Sequence, residues 1–195
     1  MRGARLLWGS VALGVLPAGV VSAQSSPEVI VTAEKRDQRA VDIPMSLNVV
    51  SPADIENRGA RDFLDVLLSI PGVSYSATES GLTRYSIRGV STSAASPTVG
   101  IYLDDISLLT IGTSFSGAAD PMLIDMERIE VLKGPQGTLY GGSAMGGAIN
   151  VNFRRPTFEW ESRALLEIGD FNMYHVSASQ NLPLSNTVAV RAAVD

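Results

Sequence analysis

The residues able to do chemistry in this 195-residue chain are few and badly spaced for it. There is no cysteine and one histidine, His175, which excludes thiolate nucleophiles, thiolate metal sites and any histidine cluster. Serine, lysine, tyrosine and carboxylate chemistry remain, but no spacing gathers them into a convergent set. Asp104 and Asp105 are adjacent carboxylates, yet neighbours on a strand point to opposite faces and no clustered ligands accompany them. A turn or a sheet edge is the better reading of that pair. Glycine clusters between Gly134 and Gly147 raise phosphate binding, but a phosphate loop closes on Gly-Lys-Ser/Thr, which does not occur here. The chain carries a formal charge of −5 and no basic stripe, so nucleic acid is a poor partner. No enzymatic activity, cofactor or metal site is expected, and His175 reads as an ordinary strand residue.

The elements around these residues are built for packing. In Glu127–Val151, Ile129, Glu130, Val131 and Leu132 form a short strand of mixed faces, stopped by Gly134 and Pro135 because proline cannot donate to a sheet ladder. Gly137, Gly141, Gly142, Gly146 and Gly147 permit positive φ and close backbone contact, with Ala144, Met145, Ala148 and Ile149 as small apolar filling. A strand resumes over Ile149 to Phe153. Upstream, Leu47 to Val50 reads as a strand, and Ser51, Pro52 and Asp54 occupy the N-cap, N1 and N3 positions of a helix that Gly59 stops. A second helix, near Ala60 to Ser69, is expected to turn Phe63, Leu64, Leu67 and Leu68 inward before Pro71-Gly72 closes it. Strands follow at Val73 to Ser76, Tyr85 to Arg88 and Gly100 to Ile106, giving a small mixed α/β unit.

The two ends differ from this middle. Arg2 and Arg5 precede an apolar run from Leu6 to Leu16, and Val21-Ser22-Ala23 offers a small-residue cleavage site, so residues 1–23 read as a secretory signal peptide. The run is far short of the roughly 20 residues of a bilayer-spanning helix. Its removal takes two arginines and no acid, moving the formal charge from −5 to −7. Residues 24–42 form an arm: Glu28, Val29, Ile30, Val31, Thr32 and Ala33 make a β-branched run with no obvious partner beside it, and Arg36 to Asp42 is charged and expected to be flexible. Such a segment suits strand addition to another protein's sheet edge, although a first strand of the domain fits the spacing equally. Beyond Pro156, Tyr174, Val176 and Ala178 alternate with His175, Ser177 and Ser179, and Val188 to Asp195 alternates likewise. With Arg163 to Ile168 these read as antiparallel strands near the ~9–11 residues that cross an outer membrane, or as part of a soluble sandwich.

Taken in order, the motifs resemble the TonB-dependent outer-membrane receptors. Glu28–Ala33 looks like the TonB box, Ile87-Arg88-Gly89-Val90 like the family's IRG motif, and Val99 to Ile106 like the strand after it. Glu127–Val151, with Gly134, Pro135, Gly137, Gly141, Gly146 and Gly147, looks like the plug signature. The resemblance implies an α+β fold: a small mixed-sheet plug domain over residues 43–156, followed at 157–195 by the first antiparallel strands of a truncated transmembrane β-barrel. The complete barrel would have about 22 strands. It further implies uptake of a scarce small-molecule ligand, such as a ferric siderophore or other metal chelate, cobalamin or an oligosaccharide. The energy would come from the periplasmic domain of TonB, working with inner-membrane ExbB and ExbD. Arg88 and Lys133 stand where family plugs contact acidic residues of the barrel wall; lysine there lacks the planar fork of arginine. Gly141-Gly142-Ser143 replaces a Gly-Arg-Asn type sequence, so no role of that arginine is carried over. The Gly81 to Arg84 and Ser91 to Thr98 loops would face a ligand. Three strands cannot close a barrel, so the chain is expected to be the N-terminal part of a longer receptor and not to transport by itself. The alternative is a stand-alone periplasmic plug-like binding module.

Overall fold

The computed structural model describes residues 30–32, 35–36, 38–77, 82–91, 97–111, 116–170 and 172–195. The predicted signal peptide, along with Glu28, Val29 and Ala33, lies outside the described residues, as does most of the Ser91 to Thr98 loop.

Strand β10, Met126–Lys133, organises the middle of the chain because both of its faces are covered. It lies between β3 (Ser46–Val50) and β11 (Gly147–Phe153), antiparallel to each, in a five-stranded sheet completed by β6 (Val99–Leu103) and β7 (Ile106–Ser107) in the order β3-β10-β11-β6-β7. The β11–β6 pair is parallel, so the sheet is mixed. Alternation along β10 assigns Ile129 and Val131 to one face and Glu130 and Leu132 to the other. Ile129 and Val131 join the main core with Val50, Phe63, Ile87, Ile101 and Ile149. Leu132 joins a smaller core with Val31, Ile43, Tyr102, Tyr140 and Ala148. The sheet therefore has a helix-covered side and an arm-covered side.

Helix α1, Pro52–Arg58, forms as its sequence predicts. The Ser51 hydroxyl accepts from the Asp54 N–H, the Asp54 carboxylate accepts from the Ser51 N–H at 2.9 Å, and Gly59 ends the helix at φ 64°. Helix α2 is shorter than expected, Phe63–Leu68, because Asp62 takes the N-cap and its carboxylate accepts from the Asp65 N–H. The buried stripe is accordingly Phe63, Val66 and Leu67, continued by Ile70; Leu68, expected inside, is 48% exposed.

A second, four-stranded sheet has the order β4-β5-β9-β8, with β4 Val73–Ala77, β5 Thr83–Ile87, β8 Leu109–Ile111 and β9 Ser116–Ala118. Strand β5 stops at Ile87 and not at Arg88, since Arg88 and Gly89 both take positive φ. The strand expected over Gly100 to Ile106 is split: Asp104 and Asp105 have φ 45° and 69° and turn β6 into β7. Positive φ at both central residues is the requirement of the tight hairpin turn that matches strand twist, and Asp tolerates it better than most residues.

The last sheet is the antiparallel meander β12 (Glu161–Gly169), β13 (Met173–Pro183) and β14 (Ala189–Val194). Its register aligns Leu166 with Val176, Ile168 with Tyr174, Ala178 with Val194 and Leu182 with Val190, which makes one face largely apolar and exposed, with Ser162 and Gln180 as a hydrogen-bonded polar pair on it. The opposite face carries Arg163, Glu167, His175, Ser177, Ser179 and Arg191. It looks toward α1, α2 and residues 120–126 across an open cleft of about 1180 Å³. Among the described residues no helix is long and apolar enough to cross a membrane, which leaves strands unaddressed.

Candidate functional site

Two features converge on the arm-covered side of the five-stranded sheet. The first is the arm. Ile30–Val31 forms strand β1, and it does have a partner: β2, Gln38–Arg39, lies antiparallel to it, with a 3-10 turn following at Ala40–Asp42. The expectation of a segment with no partner beside it is thereby corrected: Gln38–Arg39 lies against Ile30–Val31. Ile30 is exposed while Val31 is fully buried against the smaller core. Thr32 donates its N–H to Glu130 Oε1 at 2.9 Å. Lys35, at φ 57°, places its ammonium 5.4 Å from the centre of the Tyr140 ring, a cation–π distance.

The second feature is the glycine-rich turn between β10 and β11. Gln136 precedes a single helical turn, α3, Gly137–Tyr140, which presents Tyr140 to the core. The Tyr140 ring packs at 4.8 Å from that of Tyr102, whose hydroxyl donates to the Tyr140 carbonyl. Burial raises both phenols above their ordinary range, so they are neutral packing groups with no titration near physiological pH. Gly147 has φ 152°, and a Cβ there would meet Ile87 Cδ1 at 2.7 Å and the Leu132 carbonyl; one at Gly146 would lie 3.2 Å from Val90 Cβ. Gly134, Gly141 and Gly89 also take positive φ. Gly137 and Gly142 do not, and nothing lies within 4 Å of a Cβ at either, so their expected role in close packing is not what the structure shows.

Arg88 and Lys133 come together near the Pro71–Gly72 turn. The Arg88 N–H donates to the Gly72 carbonyl at 2.7 Å and Lys133 Nζ to the Pro71 carbonyl at 2.7 Å. Desolvation, and then the Arg88 charge, lower the pKa of the Lys133 ammonium.

The sequence matches the TonB-dependent Receptor Plug Domain over residues 39–148. The chain belongs to the TonB-dependent receptor family. An iron-regulated outer membrane virulence protein of Vibrio cholerae is 34% identical over 80% of the chain and 25% of its own length. A vitamin B12 transporter of Vibrio vulnificus is 35% identical over 66% of the chain and 21% of its own length. The crystal structure of the ferripyoverdine receptor of Pseudomonas aeruginosa superposes with a TM-score of 0.68 and 26% identity, over 85% of the chain and 22% of that receptor. The chain thus spans about a quarter of the length of the curated relatives it matches. Membership assigns this TonB-dependent receptor chain to the outer membrane. Its family is one of receptors and transporters.

Within the receptor chain, two ionic groups went unnoticed in the sequence. Glu130 is fully buried on the arm side, with Arg128 Nε donating to its Oε1 at 2.7 Å. Two residues apart on one strand, they share a face, so a carboxylate flanked by Ile129 and Val131 with arginine at i−2 was a readable sign of a buried pair. The other group joins plug to meander: Arg191 of β14 makes a two-pronged contact with Asp125 (Nη2 to Oδ1 at 2.6 Å), and its Nη1 donates to Glu161 at 3.0 Å. Arg154 donates to Glu161 at 3.4 Å from the connecting segment. The residues sit in different elements, and no local pattern ties them together.

Proposed function

We propose that the chain supplies the plug and coupling arm of an outer-membrane receptor for energy-driven uptake of a scarce ligand of the ferric siderophore, cobalamin or oligosaccharide class. Glu28–Ala33 acts as the TonB box, which pairs by strand addition with the periplasmic domain of TonB, itself driven by ExbB and ExbD. Arg88 and Lys133 answer acidic residues of the barrel wall. Relatives named for iron regulation, vitamin B12 and ferripyoverdine support the ligand class.

One observation carries the reading: β1 is a short strand paired with the arm's own β2 and tied to the plug's sheet by side chains, so among the described residues no plug strand competes for its main chain. The apolar outer face of β12–β14 favours a barrel-borne receptor over a stand-alone periplasmic module. The test is binding of the purified TonB periplasmic domain to the full-length gene product, with and without Val31→Pro. Proline removes a main-chain donor from the box. Binding that falls at least tenfold with the proline is the expected result. Equal binding by both proteins, with the plug shown to be folded, would overturn the box assignment.

A further inference from the structure

Among the described residues, no main-chain hydrogen bond joins β1 to the five-stranded sheet; the arm is held by side chains. Three donors converge on one oxygen. Glu130 Oε1 accepts from the Thr32 N–H at 2.9 Å, from the Thr32 hydroxyl at 3.3 Å and from Arg128 Nε at 2.7 Å. Arg128 Nη2 donates in turn to the Thr32 hydroxyl at 3.3 Å, so the threonine is gripped by both members of the ion pair. The Glu130 side chain has 0% exposure, and its Oε2 has no hydrogen-bond partner among the described residues. The carboxylate therefore places all its hydrogen bonding on the oxygen that faces the arm. In a water-poor setting each such donor matters more, because solvent does not replace it when it leaves.

We propose that Glu130, oriented by Arg128, is a latch that holds Thr32 and keeps the box-bearing arm docked on the plug, out of reach of TonB. The proposal rests on reading residues 28–33 as the TonB box. The latch sits on β10, one residue from Ile129 and Val131 of the main core, so a shift of that strand is felt directly at the arm. TonB then binds with its intrinsic affinity reduced by the fraction of arms undocked, and loosening the latch raises that fraction. Loss of a hydrogen bond to a charged acceptor corresponds to roughly tenfold or more in this equilibrium.

The test uses the full-length gene product without transported ligand, carrying a spin label at Ile30→Cys; this chain has no cysteine of its own. Glu130→Gln keeps the shape of the side chain and removes the charge that holds Arg128. Thr32→Pro removes the arm's donor and leaves the plug sequence untouched, so it decides the matter should the first variant misfold. The expected result is a label that becomes mobile in both variants and, for Glu130→Gln, TonB binding about tenfold tighter than in the parent. A label equally immobile in parent and variants would overturn the latch. A label that becomes mobile while TonB binds neither parent nor Glu130→Gln would support the latch and remove the TonB-box reading instead.

Discussion

At Gly147 the demand for a particular residue can be traced to its neighbours. Its φ of 152° is rare for L side chains, and an added Cβ would press on Ile87 and on the backbone of β10. Gly147→Ala is expected to destabilise the plug by about 2 kcal/mol or more, from strain and displaced packing together. Gly137→Ala, with open space around it and a helical setting, should be neutral or gain up to about 1 kcal/mol. Urea unfolding of the two variants checks the contrast; equal losses would mean that the glycines serve the turn as a set. The sequence alone treats these glycines alike, because their difference lies in what other strands bring against them. Glu130 teaches the same lesson: it sits in a readable strand, but Thr32, which gives it a purpose, is 98 residues away.

Elements whose signals are local were the most legible. The Ser51, Pro52, Asp54 and Gly59 pattern of α1 is satisfied inside nine residues, and the helix begins and ends where it predicts. The start of α2 falls later than expected because Asp62 takes the cap, and its buried stripe runs through Phe63, Val66, Leu67 and Ile70 at i, i+3, i+4 and i+7, which leaves Leu68 outward. The α1 cap also has a pH signature. Hydrogen bonds from the Ser51 hydroxyl and N–H lower the Asp54 pKa below its ordinary 3.8. The folded state thus binds that proton more weakly than the unfolded one. The stabilisation is complete above the ordinary carboxylate value and disappears as pH falls through the lowered one. Ser51→Ala should cost about 1 kcal/mol near neutral pH. Its penalty should shrink in acid, once pH has fallen through that lowered value and the parent has lost the bonds its Ser51 makes to the Asp54 carboxylate. Parallel urea titrations at the two pH values measure this, and a pH-independent penalty would assign the effect to packing. The arm was the least legible element: its alternation gives a strand, but β2 and the seat beneath it come from tertiary contacts that propensity does not encode.

At the scale of the molecule, the meander shows how far period-two alternation carries. The apolar set read from Tyr174, Val176 and Ala178 occupies one face, and the register extends that face across β12 and β14. Leu166→Arg, on that face, should cost about 2 kcal/mol or more in a bilayer, whereas Ser177→Arg, on the face toward the plug, should cost under about 1 kcal/mol. Folding of the full-length gene product into lipid vesicles under urea distinguishes them, and equal penalties would reverse the assignment of faces. The joint at Asp125 and Arg191, invisible to any local pattern, fixes the meander to the plug near Met126 and Phe153, the paired ends of β10 and β11. The arm leaves the same sheet at its other end, where Ser46 of β3 pairs with Lys133. Tension between arm and meander is therefore directed along the strands. It would load the five β3–β10 pairs together in shear, the geometry in which a sheet resists force best, and would not peel them one by one from an end. Arm and meander are thus attached at opposite ends of one mechanical element, and the arm's side-chain seat lies upstream of it, placed to yield first.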